Sequence, residues 1–333
     1  MTTAKTALVL GATGGIGGEV ARRLKDAGWR VRAMNRDIGK LRGRDGLEWV
    51  QGDAMSAADV LAAARGAAVI VHAVNPPGYQ RWAELVLPMI DNTIAAARAT
   101  GARIVLPGTI YNFGPDAFPV LREDSPQHPE SRKGAIRVEL ERRLEAASRE
   151  GVRSLVVRAG DFFGARAANS WFSQGLTKAG TPVATIRDPA RRGVGHQWAY
   201  LPDVAATMVR LLETDDGRAA FERFHMDGHW DASGREMAEA IARVVARETG
   251  RAPRIAAFPW WLATLAAPFV TFFKELREMR YLWREPLRMD NARLVARLGA
   301  EPHTPLDEAV RATLVGQGSL VAVAGGSAPV PAR

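Results

Sequence analysis

The chain has 333 residues, of which 47% are hydrophobic and 24% charged, a composition that excludes a wholly disordered protein. It contains no cysteine, which excludes disulfide bonds, metal sites with thiolate ligands and a cysteine nucleophile. The formal net charge is +9, but the cations are spread along the chain without interleaved aromatic runs. We therefore expect a small anionic ligand and no nucleic acid as a partner.

The first 160 residues alternate short apolar runs with amphipathic stretches. The apolar runs predict strands at residues 6–12, 30–36, 47–53, 68–74, 103–109 and 154–159. The amphipathic stretches predict helices at residues 16–27, 57–65, 81–100 and 133–150. Strands that alternate with helices predict an α/β fold with a doubly wound parallel sheet, in which ligands bind at the carboxyl ends of the strands.

Beyond residue 160 the alternation is looser. Segments at residues 171–178, 195–201, 204–213, 221–227 and 237–249 predict a small α+β cap with returns to the main sheet. The chain is therefore expected to divide into a doubly wound domain at residues 1–160, a cap at 161–315 and a tail at 316–333. We predict that the tail is disordered, because it consists of small, apolar and turn-forming residues.

Residues 255–273 form a run of 19 residues without a charge, which is the length of a membrane span. Pro259 and Pro268 interrupt the run, and basic residues flank both ends, so no inside–outside charge asymmetry is present. We expect a buried pair of cap helices or a subunit interface, with membrane contact as the alternative. The N-terminal residues lead into a strand and a glycine loop rather than a signal-peptide core, which predicts a cytoplasmic protein.

Three glycines lie between the first predicted strand and the first predicted helix. Gly11 permits a tight turn, Gly14 lets the backbone approach a pyrophosphate, and Gly17 lets the helix pack closely on the strand. The helix N-terminus then faces the phosphates. The alternative is a purely structural glycine turn. The segment predicts a dinucleotide-binding loop formed by Gly11, Thr13, Gly14, Gly15, Ile16 and Gly17.

The spacing Gly-x-x-Gly-x-x-Gly at residues 11–17 resembles the short-chain dehydrogenase/reductase superfamily, in its extended or atypical branch, the NAD-dependent epimerase/dehydratase group. Further segments carry the resemblance over about residues 5–315: Gly-Asp at 52–53, His-Ala-Val-Asn-Pro-Pro at 72–77, Arg-Ala-Gly-Asp-Phe-Phe-Gly at 158–164, Trp-Ala-Tyr-Leu-Pro-Asp-Val-Ala at 198–205, and the segments 289–299 and 304–310. The resemblance implies a Rossmann domain at residues 1–160 and a substrate-binding cap at 161–315.

The same resemblance implies cofactor contacts beyond the glycine loop. Asp53 corresponds to the residue that contacts the adenine, Ala73 and Asn75 lie in the loop beside the adenosine ribose, and Arg158 opens the segment that lines the nicotinamide.

The end of the second strand decides between the two nicotinamide dinucleotides. An acidic residue there binds the ribose 2′-hydroxyl of NAD, whereas an arginine accommodates the 2′-phosphate of NADP. This sequence has Asn35 and Arg36 at that position, and Asp37 comes one residue later. We therefore predict NADP, held by Asn35 and Arg36, with NAD as the alternative.

The resemblance also implies a catalytic site. The family supplies a Ser or Thr that polarises the carbonyl, which corresponds to Thr109, and a Tyr-x-x-x-Lys pair on one helix face. None of the four tyrosines, at positions 79, 111, 200 and 281, is followed four residues later by lysine. The two positions of the pair hold Lys133 and Arg137 instead.

Three interpretations of this departure stay open. Lys133 is the acid, with Arg137 and the oxidised nicotinamide lowering its pKa. Alternatively, Tyr111 or Tyr200 donates the proton from another element. In the third interpretation, Lys133 and Arg137 only hold the nicotinamide ribose, a phosphate or a surface acid.

Polar and aromatic residues after the sixth strand predict a substrate pocket for a fairly apolar or aromatic molecule. The predicted lining is Asp161, Asn169, Trp171, Phe172 and His196; a cap core and a structural histidine are the alternatives. His225 and His229 have the spacing of metal ligands on a helix, but Met-Asp-Gly between them is typical of a turn, so we predict no metal.

We therefore expect an NADP-dependent oxidoreductase that reduces a carbonyl or similarly polarised group of a small molecule. One alternative is an NAD-dependent nucleotide-sugar epimerase or dehydratase, which needs a strong reversible base. The other is a non-catalytic NADP-binding sensor. The resemblance suggests a homodimer built on the helices at 81–100 and 133–150.

Overall fold

The computed structural model describes residues 4–76, 81–168, 170–266 and 278–321. The strands in chain order are β1 (Thr6–Leu10), β2 (Arg30–Asn35), β3 (Glu48–Gln51), β4 (Val69–His72), β5 (Arg103–Thr109), β6 (Val120–Leu121), β7 (Ser154–Ala159), β8 (Asp161–Phe163), β9 (Thr185–Asp188), β10 (His196–Tyr200), β11 (Phe221–His225), β12 (His229–Asp231), β13 (Arg254–Ala257) and β14 (Arg288–Met289). The helices are α1 (Gly15–Asp26), α2 (Ala57–Ala64), α3 (Trp82–Thr100), α4 (Arg132–Ser148), α5 (Leu201–Glu213), α6 (Glu236–Thr249), α7 (Trp260–Ala266), α8 (Ala292–Leu298) and α9 (Leu306–Gly316).

Seven parallel strands form the main sheet in the order β11-β7-β5-β4-β1-β2-β3. Side chains of β1 alternate between its two faces: Ala7 and Val9 join the core beneath α1 and α5, whereas Leu8 and Leu10 join the core beneath α2, α3 and α4. Both faces of the sheet are therefore covered by helices, which confirms the predicted doubly wound α/β fold.

Strand β1 lies between β2 and β4, so the chain runs to one side of β1 first and crosses back to the other side later. The connections at the carboxyl ends of β1 and β4 diverge at this switch point and leave a crevice between them, where ligands bind in such sheets. The glycine loop follows β1 directly and so lies at this crevice.

The six predicted strands and four predicted helices of the first 160 residues are all present, with ends that differ by at most two residues. The segment predicted at 221–227 returns to the main sheet as its edge strand β11, beside β7. The cap contains the three-stranded sheet β12-β10-β8, the pair β13-β9 and α6, around a core rich in aromatic side chains.

The uncharged run at 255–273 is described only in part. It begins in β13 and continues into α7, where Trp261, Leu262 and Leu265 are 66%, 48% and 66% exposed. A buried helix pair is therefore wrong for α7 within one chain, because these side chains face outward. Among the described residues, no helix has the length and apolar character needed to cross a membrane.

The predicted tail begins at the end of α9. Its first residues, 316–321, are described, and Leu320 packs into the core of the cap. Residues 322–333 lie outside the described part of the chain.

Candidate functional site

Two glycines of the loop after β1 are required by its geometry. Gly11 has φ +90°, a conformation that favours glycine. A Cβ atom on Gly11 would lie 2.5 Å from the carbonyl oxygen of Ala73, and one on Gly17 would lie 2.3 Å from the carbonyl oxygen of Gly11. Any larger residue at either position would therefore push the end of β4, or the start of α1, away from the loop.

The first turn of α1 is open to an anion. Gly14 caps the helix without a side-chain hydrogen bond, and no acidic residue lies in the first turn. The backbone N–H groups and the positive end of the helix dipole are thus available to a phosphate. Ile16 contributes backbone only, because its side chain packs against the core.

Arg166, whose guanidinium is ion-paired with Asp45 at 3.4 Å, lies beside this loop, and the sequence analysis missed it. Its carbonyl oxygen lies 3.0 Å from where a Cβ on Gly15 would stand, and its Nη1 lies 3.8 Å from the corresponding position on Gly18. The only signal in the sequence was its place two residues after the segment 158–164.

Five further predicted cofactor residues, Asn35, Arg36, Asp53, Ala73 and Asn75, lie at or just beyond the carboxyl ends of β2, β3 and β4, at the same edge of the sheet. The Asn35 side-chain amide donates to the Thr13 hydroxyl at 3.5 Å, which joins the end of β2 to the glycine loop. Arg36 is exposed and, within the described ranges, forms no ion pair. Asp53 is half-buried and accepts the N–H of Met55 at 3.0 Å.

The loop after β4 completes this edge. The Ala73 N–H donates to the Leu10 carbonyl at 3.0 Å, so the end of β4 is fixed against the end of β1. Asn75 is exposed two residues further on. Both positions are compatible with the ribose side of a bound dinucleotide.

Thr109, Tyr111 and Lys133 meet at the carboxyl end of β5. Thr109 ends that strand, and a 3₁₀ turn at Ile110–Asn112 follows it. A Cβ on Gly134 would lie 2.3 Å from the Tyr111 carbonyl oxygen, so the first turn of α4 packs directly on this turn. The Thr109 hydroxyl donates to the Asn112 side-chain oxygen at 3.2 Å and accepts the Tyr111 N–H at 3.3 Å.

Lys133 is buried, with 4% of its surface exposed, and its backbone N–H donates to Glu278 Oε1 at 3.2 Å. Arg137 lies over the ring of Trp82 at 5.1 Å. Together with burial, its charge lowers the pKa of His72 at the end of β4 to about 3. The three interpretations of the pair stay open.

Arg158 does not lie where the resemblance implies. Its side chain is fully buried. Its Nε donates to Glu141 Oε1 at 3.1 Å, and its Nη1 donates to His225 Nε2 at 2.9 Å. Asn112 donates to the same Glu141 oxygen at 2.9 Å. Arg158 thus supports the turn after β5 and α4 from beneath, and this position is incompatible with a direct cofactor contact.

His225 is a neutral structural histidine. Its Nδ1 donates to the Leu121 carbonyl at 3.2 Å, while its Nε2 accepts from Arg158. Burial and the Arg158 charge lower the pKa of His225 to about 3. No group of three or more metal-ligating side chains occurs in the part of the chain that the structure describes.

Asp161 and His196 form a buried pair across β8 and β10. His196 Nδ1 lies 3.0 Å from the Leu282 carbonyl oxygen, which can only accept, so Nδ1 carries a proton. His196 Nε2 lies 3.0 Å from Asp161 Oδ2. The imidazole of His196 is therefore held at both ring nitrogens, one by a carbonyl and one by a carboxyl group.

Aromatic side chains surround this pair. The rings of His196 and Trp283 stack at 3.7 Å, and Trp171 meets Trp283 edge-on at 5.0 Å. Phe172, predicted to line the pocket, is instead fully buried in the cap core against Phe163. Asn169, also predicted there, lies outside the described residues.

Tyr200, one of the alternative proton donors, ends β10 and directly precedes α5. Its ring packs on Phe163 at 5.2 Å. Burial raises the pKa of Tyr200 to about 12, and the charges of Asp203 on α5 and Glu19 on α1 raise it further. The phenol therefore lies on the α1–α5 side of the molecule and not at the end of β5.

Tyr281, by contrast, lies close to the predicted catalytic residues. The sequence analysis missed this position of Tyr281. It belongs to a 3₁₀ helix at Met279–Trp283 that packs on the residues after β5. Its hydroxyl is buried without a hydrogen-bond partner among the described residues.

A surface cavity of about 430 Å³ lies between α1 and α5, with Glu19, Arg22, Arg23 and Asp203 among its lining residues. None of the predicted site residues that the structure describes lines it. We place the site at the sheet edge instead, because the open helix N-terminus and the buried polar groups converge there.

Comparisons with known proteins agree with this fold. A family model described as "NAD dependent epimerase/dehydratase family" matches residues 7–225. Among solved structures, UDP-glucose 4-epimerase from Brucella ovis in complex with NAD has a TM-score of 0.74 at 17% identity, covering 95% of this chain and 99% of its own. The Bordetella bronchiseptica enzyme WbmH in complex with NAD+ has a TM-score of 0.67 at 19% identity, with 94% and 98% covered.

At these identities the structures show a common fold. A search of curated proteins gives no match. The family model, however, spans more than half of the chain, and the resemblance identified from the sequence is confirmed. The chain is a member of the NAD dependent epimerase/dehydratase family.

Proposed function

We propose that this chain is an NAD(P)-dependent enzyme that transfers a hydride at an oxygen-bearing carbon of a small molecule. One observation carries the proposal: the open N-terminus of α1 and the cluster of Thr109, Tyr111 and Lys133 stand at the same carboxyl edge of one sheet. A dinucleotide that extends from the first to the second brings its nicotinamide beside groups that can polarise a carbonyl.

The residues present fit a nicotinamide dinucleotide, because Gly11 and Gly17 hold the loop at a distance that no Cβ would allow. The loop and Arg166 would hold the pyrophosphate, and the residues after β2, β3 and β4 would hold the adenosine. Such a cofactor supplies the hydride. Exposed Arg36 favours NADP, whereas the similar structures contain NAD.

The comparisons favour an epimerase or dehydratase that acts on a nucleotide sugar. The family model points to this class, and MoeE5, a similar structure, is in complex with UDP-glucuronic acid and NAD. One feature of the cap agrees with an anionic substrate. The Arg280 guanidinium lies over the Trp260 ring at 5.0 Å, and Arg284 follows four residues later, so this segment carries two positive charges that would attract a diphosphate.

Carbonyl reduction of an apolar or aromatic molecule is the second candidate. It is favoured by Lys133 and Arg137, which occupy the positions of the tyrosine and lysine that reversible sugar oxidation uses, and by the tryptophans around His196. Reduction needs only a proton donor, whereas epimerisation needs a group that both removes and returns a proton.

Mass spectrometry of nucleotide released from freshly purified protein, with equilibrium titrations of NADPH and NADH, tests the proposal. Retained, stoichiometric NAD supports the epimerase or dehydratase, to be checked by turnover of UDP-glucose. Exchangeable binding that prefers NADPH supports the reductase, to be checked by NADPH consumption with aromatic ketones and aldehydes. Binding without either turnover favours a sensor, and binding of neither nucleotide contradicts the proposal.

A further inference from the structure

Tyr281 is held beside the end of β5 by stacking. Its ring lies parallel to that of Phe118, with centroids 6.3 Å apart and an interplanar angle of 2°. Both rings pack on the cluster that contains Ile110 and Phe113 from the segment after β5. The ring therefore has a fixed position that does not depend on its hydroxyl group.

The hydroxyl of Tyr281 has no structural role in the described part of the protein. Its oxygen is buried, yet it makes no hydrogen bond there. A buried hydroxyl that has lost water without gaining a partner destabilises the folded state, so a phenylalanine would serve the fold at least as well. A tyrosine at this position instead indicates a partner other than the described residues.

The surroundings of the hydroxyl keep it protonated and place it in the site. Burial raises the pKa of Tyr281, and the carboxylates of Asp161, Glu278 and Glu130 raise it further. Asp161 is the partner of His196, and Glu278 accepts the N–H of Lys133. The phenol thus lies between the buried Asp–His pair and the first turn of α4, and at neutral pH it keeps the proton that it can donate.

The other described tyrosines are less suitable donors. Tyr200 lies on the side of α1 and α5, and Tyr111 is tied through its backbone to Thr109 and packs against Gly134. The Thr109 hydroxyl already donates to Asn112.

We propose that Tyr281 donates a hydrogen bond, and then its proton, to the oxygen of the substrate carbonyl, in place of the tyrosine that α4 lacks. This inference rests on the proposed hydride transfer, with a dihydronicotinamide as the reductant. The hydride and its electron pair add to the carbonyl carbon, the π pair moves to the oxygen, and that oxygen takes the phenolic proton. Water then reprotonates the phenolate. Because the hydroxyl is buried, a substrate must displace neighbouring cap side chains to reach it.

The test compares Tyr281→Phe with wild type and with Tyr111→Phe. Calorimetry measures the affinity of each protein for NADPH and NADH, and then, with oxidised cofactor bound, for acetophenone and for UDP-glucose as probes. Thermal unfolding of the free proteins gives a readout that involves neither cofactor nor probe. Tyr281→Phe keeps the ring and its stacking on Phe118, so it isolates the hydroxyl.

We expect Tyr281→Phe to bind the cofactor as wild type does and to unfold at the same or a higher temperature. One of the two probes is expected to bind to wild type. For that probe we expect the Kd of Tyr281→Phe to be at least about 5-fold higher, as the loss of one hydrogen bond of about 1 kcal/mol implies. Tyr111→Phe should reduce the affinity for that probe less than Tyr281→Phe does.

Three results would overturn the inference: unchanged probe affinity in Tyr281→Phe, a lower unfolding temperature for this variant, or no binding of either probe to cofactor-loaded wild type. If wild type binds no cofactor, the proposed function fails; the unfolding comparison then still decides whether the hydroxyl is structural.

Discussion

Glu278 accepts a hydrogen bond of 3.2 Å from the backbone N–H of Lys133, although 145 residues separate the two in the chain. The bond joins the first turn of α4 in the Rossmann domain to the segment that leads into Met279–Trp283. Because Tyr281 lies three residues after Glu278, this contact sets how far the phenol stands from the end of β5. The cap therefore contributes to the candidate site through a direct bond to α4.

The Gly17→Ala variant tests the contact between α1 and the glycine loop. The added methyl group would lie 2.3 Å from the Gly11 carbonyl oxygen, so we expect the free energy of unfolding to fall by about 1–3 kcal/mol and cofactor affinity to fall as well. Gly14→Ala is the matched variant, since its methyl group would meet the same oxygen at 3.3 Å. Equal stability of the two variants in urea unfolding would show that the helix does not pack as closely as described.

Arg36→Ala tests the choice between NADP and NAD. Arg36 is exposed and forms no ion pair with the described residues, so its guanidinium is available to a 2′-phosphate. We expect the Kd for NADPH to rise about 10-fold, which is about 1.4 kcal/mol, while the Kd for NADH stays unchanged. Arg42→Ala, at another exposed arginine, is the control. A wild type that prefers NADH, or an unchanged Kd for NADPH in Arg36→Ala, would refute the role of Arg36.

Glu141→Gln tests the support beneath the site. Arg158 is fully buried, and Glu141 is its carboxylate partner. Removing that charge leaves a buried guanidinium uncompensated, so we expect a loss of about 3–5 kcal/mol in unfolding free energy. Glu139→Gln on the same helix breaks partly exposed pairs with Arg142 and Arg143 and should cost less than about 1 kcal/mol. Chemical denaturation of both variants makes the comparison; similar losses would contradict the prediction.

Two buried histidines predict how stability depends on pH. In the folded protein the pKa is lowered to about 3 for His72 and to about 3 for His225, against about 6.5 in the unfolded chain. Below about pH 6.5 the unfolded chain therefore binds protons that the folded chain excludes. The contribution of the two neutral histidines to the free energy of unfolding is therefore complete above that pH and is lost progressively towards pH 3.

We expect each histidine to add up to about 1.4 kcal/mol per pH unit to the slope of unfolding free energy against pH. His72→Gln should reduce the slope between pH 6 and 5 by that amount, whatever its effect on absolute stability. Urea denaturation across this pH range measures it, and an identical slope in wild type and variant would show that His72 titrates alike in both states.

Local patterns in the sequence predicted the sheet, the glycine loop and the helix that carries Lys133, because each depends on residues near one another in the chain. Thr109 was assigned from the family resemblance, which places it at the end of a predicted strand, five residues before Gly114. Arg166 and Tyr281 were missed, since only the folded chain brings them to the loop and to α4.

Arg158 and Phe172 show a second limit. An arginine at the end of a buried strand can face a ligand or a buried carboxylate, and periodicity does not distinguish these cases. Here the partner is a buried carboxylate, that of Glu141, which lies in α4 and not near Arg158 in the chain. Phe172 directly follows the half-buried Trp171 but packs into the cap core. Both residues lie in a short π-helix, and the sequence does not reveal which side chains of this helix face the core.

The alternation of β1 has a consequence for ligand affinity. Ala7 and Val9 face one core and Leu8 and Leu10 the other, and Gly11 follows immediately. A shift of β1 by one residue would exchange the two sets of side chains and move the loop by about 3.3 Å along the strand. The position of the glycine loop along the strand direction is thus set by the volumes of four apolar side chains. Substitutions in β1 that never touch a ligand should alter cofactor affinity in proportion to how far they displace that strand.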